Sequence, residues 1–263
     1  RLVCPNGLHL RNGEVCERCK NGREYWCFLL NCESNILKSA GYALRSYNAR
    51  VQGLYKKNIS TYICASDFLR NRMVEAGFDS QKIHIIPNLI PDSIDLKKSA
   101  ANTAGEYAGY AGRISKEKGI NVLINAASEC PDIPFLIAGR VSPDVTLPTP
   151  LPKNLKLLGF LKGAALHDFY DRARLLLSTS ICFETFGISV AEAMLHAKPV
   201  IVSKIGVFPE FVDDGATGLL FEPGNSKDLA SKIRYLWERP ELCNQLGENA
   251  RAKVLNEYSP DVY

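Results

Sequence analysis

Long apolar runs are missing from this 263-residue chain. No stretch approaches the roughly 18–20 consecutive apolar residues that cross a bilayer, so these residues hold no helical membrane span. Net charge is also scarce. The 32 Lys and Arg outnumber the 28 Asp and Glu by only four, a balance that suits acidic ligands or an anionic membrane surface without requiring either. Interleaved aromatic and basic residues and a recognition helix are absent, which weighs against a nucleic-acid binder. Histidine is rare, with His9, His84, His167 and His196 the only four. None stands in an arrangement with Ser or Cys that would make a nucleophilic triad. His84 lies in a strand-like apolar run, His167 reads as a cap or surface residue before a helix, and His196 falls at a helix C-terminus, where the dipole favours a cation. No secretory signal heads the chain, so cytoplasmic residence is the default expectation.

Cysteine is the exception to this sparseness. There are nine, and five of them (Cys4, Cys16, Cys19, Cys27 and Cys32) fall in the first 32 residues. Cys16 and Cys19 have zinc-ligand spacing, and Cys4 and Cys27 could complete a four-thiolate zinc or iron–sulfur centre. The competing reading is a loop of free thiols. An odd total in an intracellular setting argues against a disulfide framework. Cys64, Cys130, Cys182 and Cys243 are scattered and read as core or near-surface thiols.

From Glu106 to Trp237 short apolar segments alternate with helical patterns. The expected strands are 106–112, 134–139, 155–158, 175–179, 199–203 and 218–221. The expected helices are 120–129, 164–173, 188–196 and 226–237. Such alternation reads as a parallel, doubly wound α/β sheet, whose ligands bind beyond the carboxyl ends of the strands. The preceding segment carries helical stretches at 35–55 and 67–76 and strands at 61–65 and 83–86, too few strands for a second complete domain of this kind. The expected organisation is a partial N-terminal domain with a cysteine-rich start (1–92), a Rossmann-like domain (93–245) and a C-terminal helix (246–263).

Two loops carry the chemistry. After the apolar strand at Leu175–Leu177 comes a polar segment bearing Glu184 and Gly187, and then an amphipathic helix with Glu192 about one turn in. A glycine-started helix leaves backbone N–H groups unpartnered and presents the positive end of its dipole, which favours a phosphate. Glu192 tilts back toward that helix start. Upstream, Gly112-Arg113 and Lys118-Gly119 follow another small-residue strand. Gly112 permits close backbone approach, Arg113 offers a fork that matches phosphate oxygens, and Lys118 is a compact cation. Cations suit a diphosphate and carboxylates suit the hydroxyls of a sugar or ribose, so the two loops together describe a pocket for a nucleotide sugar.

These motifs resemble the GT-B glycosyltransferases, in particular the retaining group called family 4. Glu184 and Glu192 match its E-x7-E motif, and Gly112-Arg113 with Lys118-Gly119 matches its basic donor loop. The stretch from Ile83 to Asn88, the Ala197-Lys198-Pro199 segment and the run from Gly215 to Gly224 extend the likeness over about Thr61 to Val254.

The resemblance implies transfer of a sugar from a nucleotide-diphosphate donor with retention of anomeric configuration and no essential metal. Arg113 and Lys118 would bind the diphosphate and stabilise the leaving group, and Glu184 would touch hydroxyls of the transferred sugar. Glu192 would hydrogen-bond the ribose, and Phe186, Gly187 and Ile188 would offer backbone N–H groups. The implied acceptor is a saccharide or lipid-linked molecule, with peripheral membrane contact as a family habit. The resemblance also implies that the N-terminal domain begins before residue 1. The alternative reading is a sugar-nucleotide binding module without transfer activity.

Overall fold

The computed structural model describes residues 4–88 and 105–258. The chain divides into two compact units, Arg1–Pro87 and Asn88–Tyr263. The boundary expected at 92/93 and the last residues of the expected C-terminal helix, 259–263, lie outside the described residues.

The first unit opens with a hairpin of β1 (Leu10–Arg11) and β2 (Glu14–Val15), turned at Asn12-Gly13, whose φ values are 51° and 83°. Both residues of a two-residue hairpin turn need positive φ, which Asn-Gly tolerates. Helices α1 (Tyr25–Leu29), α2 (Ile36–Val51) and α3 (Leu54–Asn58) follow, then β3 (Tyr62–Cys64), α4 (Asp67–Glu75) and β4 (Ile83–Ile85). Strands β3 and β4 pair in parallel. The single helix expected over 35–55 is therefore two helices. Asn35 caps the first with its side chain, and Gly53, left-handed at φ 65°, starts the second.

The second unit contains β5 (Tyr107–Ala111), α5 (Ile120–Glu129), β6 (Phe135–Ala138), β7 (Leu155–Gly159), α6 (Ala164–Arg172) and β8 (Ala173–Ser178). It continues through α7 (Ile188–Leu195), β9 (Val200–Ser203), α8 (Phe208–Phe211), β10 (Gly218–Phe221), α9 (Ser226–Trp237) and α10 (Pro240–Tyr258). The six strands form one sheet in the order β10-β9-β8-β5-β6-β7, with every pairing parallel. Alternate residues explain the two covered faces. Tyr110, Ile137, Leu175, Leu177, Ile201 and Phe221 share one buried core with Leu123 of α5 and Ile233 of α9. Helices α6 and α7 contact the sheet through β5, β8 and β9. A parallel sheet covered on both faces explains why these strands read as continuous apolar runs. The last helix starts at Pro240, six residues before the expected boundary at 246. Proline suits a first helical turn because its missing N–H has no intrahelical partner to lose.

The strand order is the doubly wound one, and its direction reverses between β5 and β8. That switch point is where such sheets open a crevice at the carboxyl ends of their strands. The two loops singled out in the sequence, 112–119 and 179–187, follow these two strands.

Candidate functional site

The two loops are fastened to each other. Thr179 Oγ1 donates to the Lys118 carbonyl at 2.8 Å, and the Ile181 N–H donates to the Glu117 carbonyl at 3.0 Å. Gly119 makes this approach possible. It starts α5 at φ 69°, and a Cβ there would drive into the Thr179 carbonyl oxygen. Gly187 starts α7 in the same left-handed region, φ 87°, with no side-chain cap. The first amides of α7 are thus left for solvent or a ligand.

Each proposed cation is held by a carboxylate. Arg113 Nη2 lies 2.6 Å from Glu117 Oε1, with the arginine side chain 58% exposed. Lys118 Nζ lies 2.5 Å from Glu184 Oε1, and that glutamate is only 12% exposed. Ser180 Oγ also donates to Glu184 Oε1. The buried Tyr110 donates its hydroxyl to the Arg113 carbonyl at 2.9 Å, which anchors the basic loop from below. Burial pushes that phenol well above its ordinary pKa.

A cleft of about 420 Å³ opens beside the loops, lined among others by Gly112, Arg113, Arg140, Phe160, Ile188 and Glu192. Arg113 from the basic loop and Glu192 from α7 therefore border one hollow. Lys118 and Glu184 form their own pair on the joined loops and are not part of this lining. Phe186 is 2% exposed, packs edge-on against Phe211 and Tyr258, and is not part of the cleft lining. The guanidinium of Arg140 sits 4.5 Å from the centre of the Phe160 ring on the cleft wall. Beside Ala111 and Ile188 from the two marked segments, the apolar share of the wall comes from Ala138 of β6, Phe160 and Leu161 after β7, and Leu166 and Tyr170 of α6, segments with no charged motif to mark them in the sequence.

Behind the cleft, Tyr170 donates its hydroxyl to Glu192 Oε2 at 2.8 Å. His196 Nδ1 lies 2.6 Å from Asp171 Oδ1, and its Nε2 lies 3.2 Å from His167 Nδ1. His196 is 2% exposed, and burial lowers its pKa despite the opposing effect of Asp171. The sequence favoured a cation at this helix end, but the buried imidazole is neutral near pH 7. His167, read as a cap or surface residue, is instead its stacking partner. Burial pushes the thiol of Cys182, on the acidic loop, up to about 11.

The N-terminal cysteines do gather. Cys19 and Cys27 are buried together with Ala43, and Cys32 packs against them. Burial first, then the neighbouring sulfurs, pushes the Cys19 and Cys27 thiols up to about 12. Among the described residues no group of three or more His, Cys, Asp or Glu side chains could hold a metal ion. Of the two readings open for Cys4, Cys16, Cys19 and Cys27, a metal centre or free thiols, the structure shows free thiols, with Cys19, Cys27 and Cys32 packed in a small core, a role common for reduced cysteine. Among the described residues no helix is long and apolar enough to cross a membrane.

Comparison with known proteins gives a consistent result. The family model described as "Glycosyl transferases group 1" matches residues 92–253. The alpha-monoglucosyldiacylglycerol synthase of Acholeplasma laidlawii is 26% identical over 255 residues, covering 87% of this chain and 62% of that protein. Among solved structures, Anabaena Alr3699/HepE in complex with UDP-glucose superposes with a TM-score of 0.66 at 26% identity, covering 81% of this chain and 64% of that one. Sucrose-phosphate synthase from Thermosynechococcus elongatus shares the fold with a TM-score of 0.69 at 22% identity, covering 81% of this chain and 58% of that one. The chain spans 62%, 54% and 41% of the lengths of three of the curated relatives it matches.

Proposed function

The chain belongs to the group 1 glycosyl transferases, and from that premise we propose that its parallel-sheet unit binds a nucleotide-diphosphate sugar whose sugar the protein transfers, with retained anomeric configuration, to a saccharide or lipid-linked acceptor. The observation that carries this reading is the shared hollow of Arg113 and Glu192, bordered by the basic loop and the first turns of α7 at the switch point of the sheet.

In this reading the diphosphate lies against Arg113, Lys118 and the open amides at the start of α7, Gly187 and Ile188 among them. Negative charge grows on the departing diphosphate oxygen as the glycosidic bond breaks. Cations and helix amides fixed in advance around that oxygen lower the barrier most where charge develops. Glu192 accepts from the ribose hydroxyls. Glu184, held by Ser180 and Lys118, faces the transferred sugar. The ligand-free ion pairs then act as placeholders, because an incoming diphosphate takes over the cations that Glu117 and Glu184 hold. The flat, apolar wall with Arg140 over Phe160 suits a nucleobase. A role for Glu184 as the nucleophile of a double displacement would need a second carboxyl about 5 Å away, and Glu192 serves the nucleotide instead.

The test is a thermal-shift panel of UDP, GDP and their sugar conjugates, since a ligand that binds only the folded state raises its melting temperature. A shift with one nucleoside diphosphate and its conjugates supports the reading, and no shift with any of them overturns it. NMR of the first-formed sugar product tests retention. An inverted anomer overturns that part alone. Donor binding with no release of nucleoside diphosphate, across saccharide and lipid-linked acceptors, would favour a binding module without transfer activity.

A further inference from the structure

Glu192 is not positioned by its own helix alone. Its Oε2 accepts from the Tyr170 hydroxyl at 2.8 Å, and Tyr170 belongs to the preceding helix, α6. Tyr170 is 1% exposed, yet it borders the same cleft as Glu192. Its ring lies 5.3 Å from the ring of His196, which sits one turn beyond Glu192 at the end of α7. Two further links tie the same helices together: His196 to Asp171 at 2.6 Å and His196 to His167 at 3.2 Å. Lys198, just beyond α7, donates to the Asp171 carbonyl at 2.7 Å. The face of α6 that meets α7 therefore sets where the Glu192 carboxylate can point.

A carboxylate only accepts hydrogen bonds, and a buried phenol has a single proton to give. With that proton spent on Oε2, the rotation of the carboxylate is fixed and Oε1 remains free to accept. A free glutamate would have to be ordered by the ligand itself, at a cost in side-chain entropy on binding.

We propose that Tyr170 is a positioning residue for ribose recognition: its hydroxyl pins one oxygen of Glu192 so that the other meets the ribose diol of the nucleotide. This rests on the nucleotide-sugar reading above. Pinning predicts a specific signature. A site built to receive a hydroxyl rejects the ligand that lacks it. A site whose acceptor has come loose loses that discrimination before it loses affinity for the diphosphate.

The experiment is calorimetric titration of the chain with UDP and with its 2′,3′-dideoxy counterpart, or with the guanosine pair if GDP binds more tightly. Wild-type protein should prefer the ribonucleotide by roughly tenfold, the size of one good hydrogen bond. Tyr170→Phe, which removes only the hydroxyl, should shrink that preference to about threefold or less. The dideoxy ligand should bind the variant nearly as it binds wild type. In a Glu192→Ala background, where no acceptor is left for the phenol, the same Tyr170→Phe change should leave the preference where Glu192→Ala alone put it, because the two residues act as one unit. Thermal unfolding of each variant separates loss of fold from loss of discrimination, and if Tyr170→Phe is destabilised the preference still serves, because it is a ratio of two affinities measured on the same protein at a temperature below its melting point.

Equal weakening of both ligands by Tyr170→Phe, or an undiminished ribose preference, overturns the assignment of Tyr170 while leaving the donor site standing. Failure of wild-type protein to bind any of these nucleotides overturns the donor-site reading and this proposal together.

Discussion

The loops after β5 and β8 are built alike and charged oppositely. Each follows an inner strand of the sheet, and each ends at a left-handed glycine that starts a helix, Gly119 at φ 69° and Gly187 at φ 87°. One presents Arg113 and Lys118, the other Glu184 and, a turn into its helix, Glu192. The difference lies in what stands behind them. The basic loop is fixed mainly through backbone, by Tyr110 beneath and by hydrogen bonds from the acidic loop. The acidic carboxyls are fixed through side chains: Ser180 and Lys118 for Glu184, Tyr170 for Glu192.

The largest effect should come from separating the loops. Gly119→Ala places a Cβ against the Thr179 carbonyl in a left-handed backbone. Strain and displacement together should cost about 3–5 kcal/mol of stability. Gly215 has φ 78° and open space around it, so Gly215→Ala should show backbone strain alone, about 1–2 kcal/mol. Chemical denaturation of the two variants checks this. Equal losses would mean that the loop contact contributes nothing.

A smaller effect distinguishes the two cations in the absence of ligand. Lys118→Ala leaves the mostly buried Glu184 without its cation and should cost about 1–2 kcal/mol. Arg113→Ala likewise leaves a mostly buried carboxylate, Glu117, but its guanidinium is 58% exposed against 28% for Lys118, so solvent screens that pair more and the loss should be smaller, about 0.5–1 kcal/mol. Denaturant midpoints decide between them. A larger loss for Arg113→Ala would contradict the account of which loop depends on side-chain pairing.

The smallest effect is one of pH. Burial lowers the pKa of His196 in the folded state below the unfolded value of about 6.5. As pH falls below about 6.5 the unfolded chain takes up the proton first, so the contribution of this group is full above that pH and is lost on acidification. His196→Gln should flatten the pH dependence of stability of the second unit below pH 6.5. In the first unit His9, lowered to about 4 chiefly by burial, acts in the same direction and should be untouched by the change. An identical slope with and without His196 would refute its neutral state.

Much of this was legible in the sequence, and the losses have a common physical cause. The expected strands of the second unit and its helices expected between 120 and 237 match the structure to within about two residues, because each buried strand is apolar on both faces and each of those helices begins at glycine or a polar residue, whereas the short α8 was not anticipated and the last helix begins six residues early. The Asn12-Gly13 hairpin had a local signal in its turn residues that went unread. Tyr170 and His196 had none, because their partners lie 22 and 25 residues away along the chain and meet only when α6 packs beside α7. Ser180 is four residues from Glu184, but nothing local reveals that its hydroxyl turns toward that carboxylate. The spacing of Cys16 and Cys19 left a metal centre and free thiols both open, because spacing sets only the reach of the sulfurs, and the burial of Cys19 with Cys27 and Ala43 depends on residues distant in the chain.

The most direct test of two loops holding one ligand is calorimetry with two probes, inorganic pyrophosphate and the nucleoside diphosphate that binds, on wild type, Arg113→Ala and Glu192→Ala. The account predicts that Arg113→Ala weakens both probes by about 1.5–3 kcal/mol, whereas Glu192→Ala weakens the nucleotide and leaves pyrophosphate unchanged. Unaltered nucleotide affinity in both variants would contradict it.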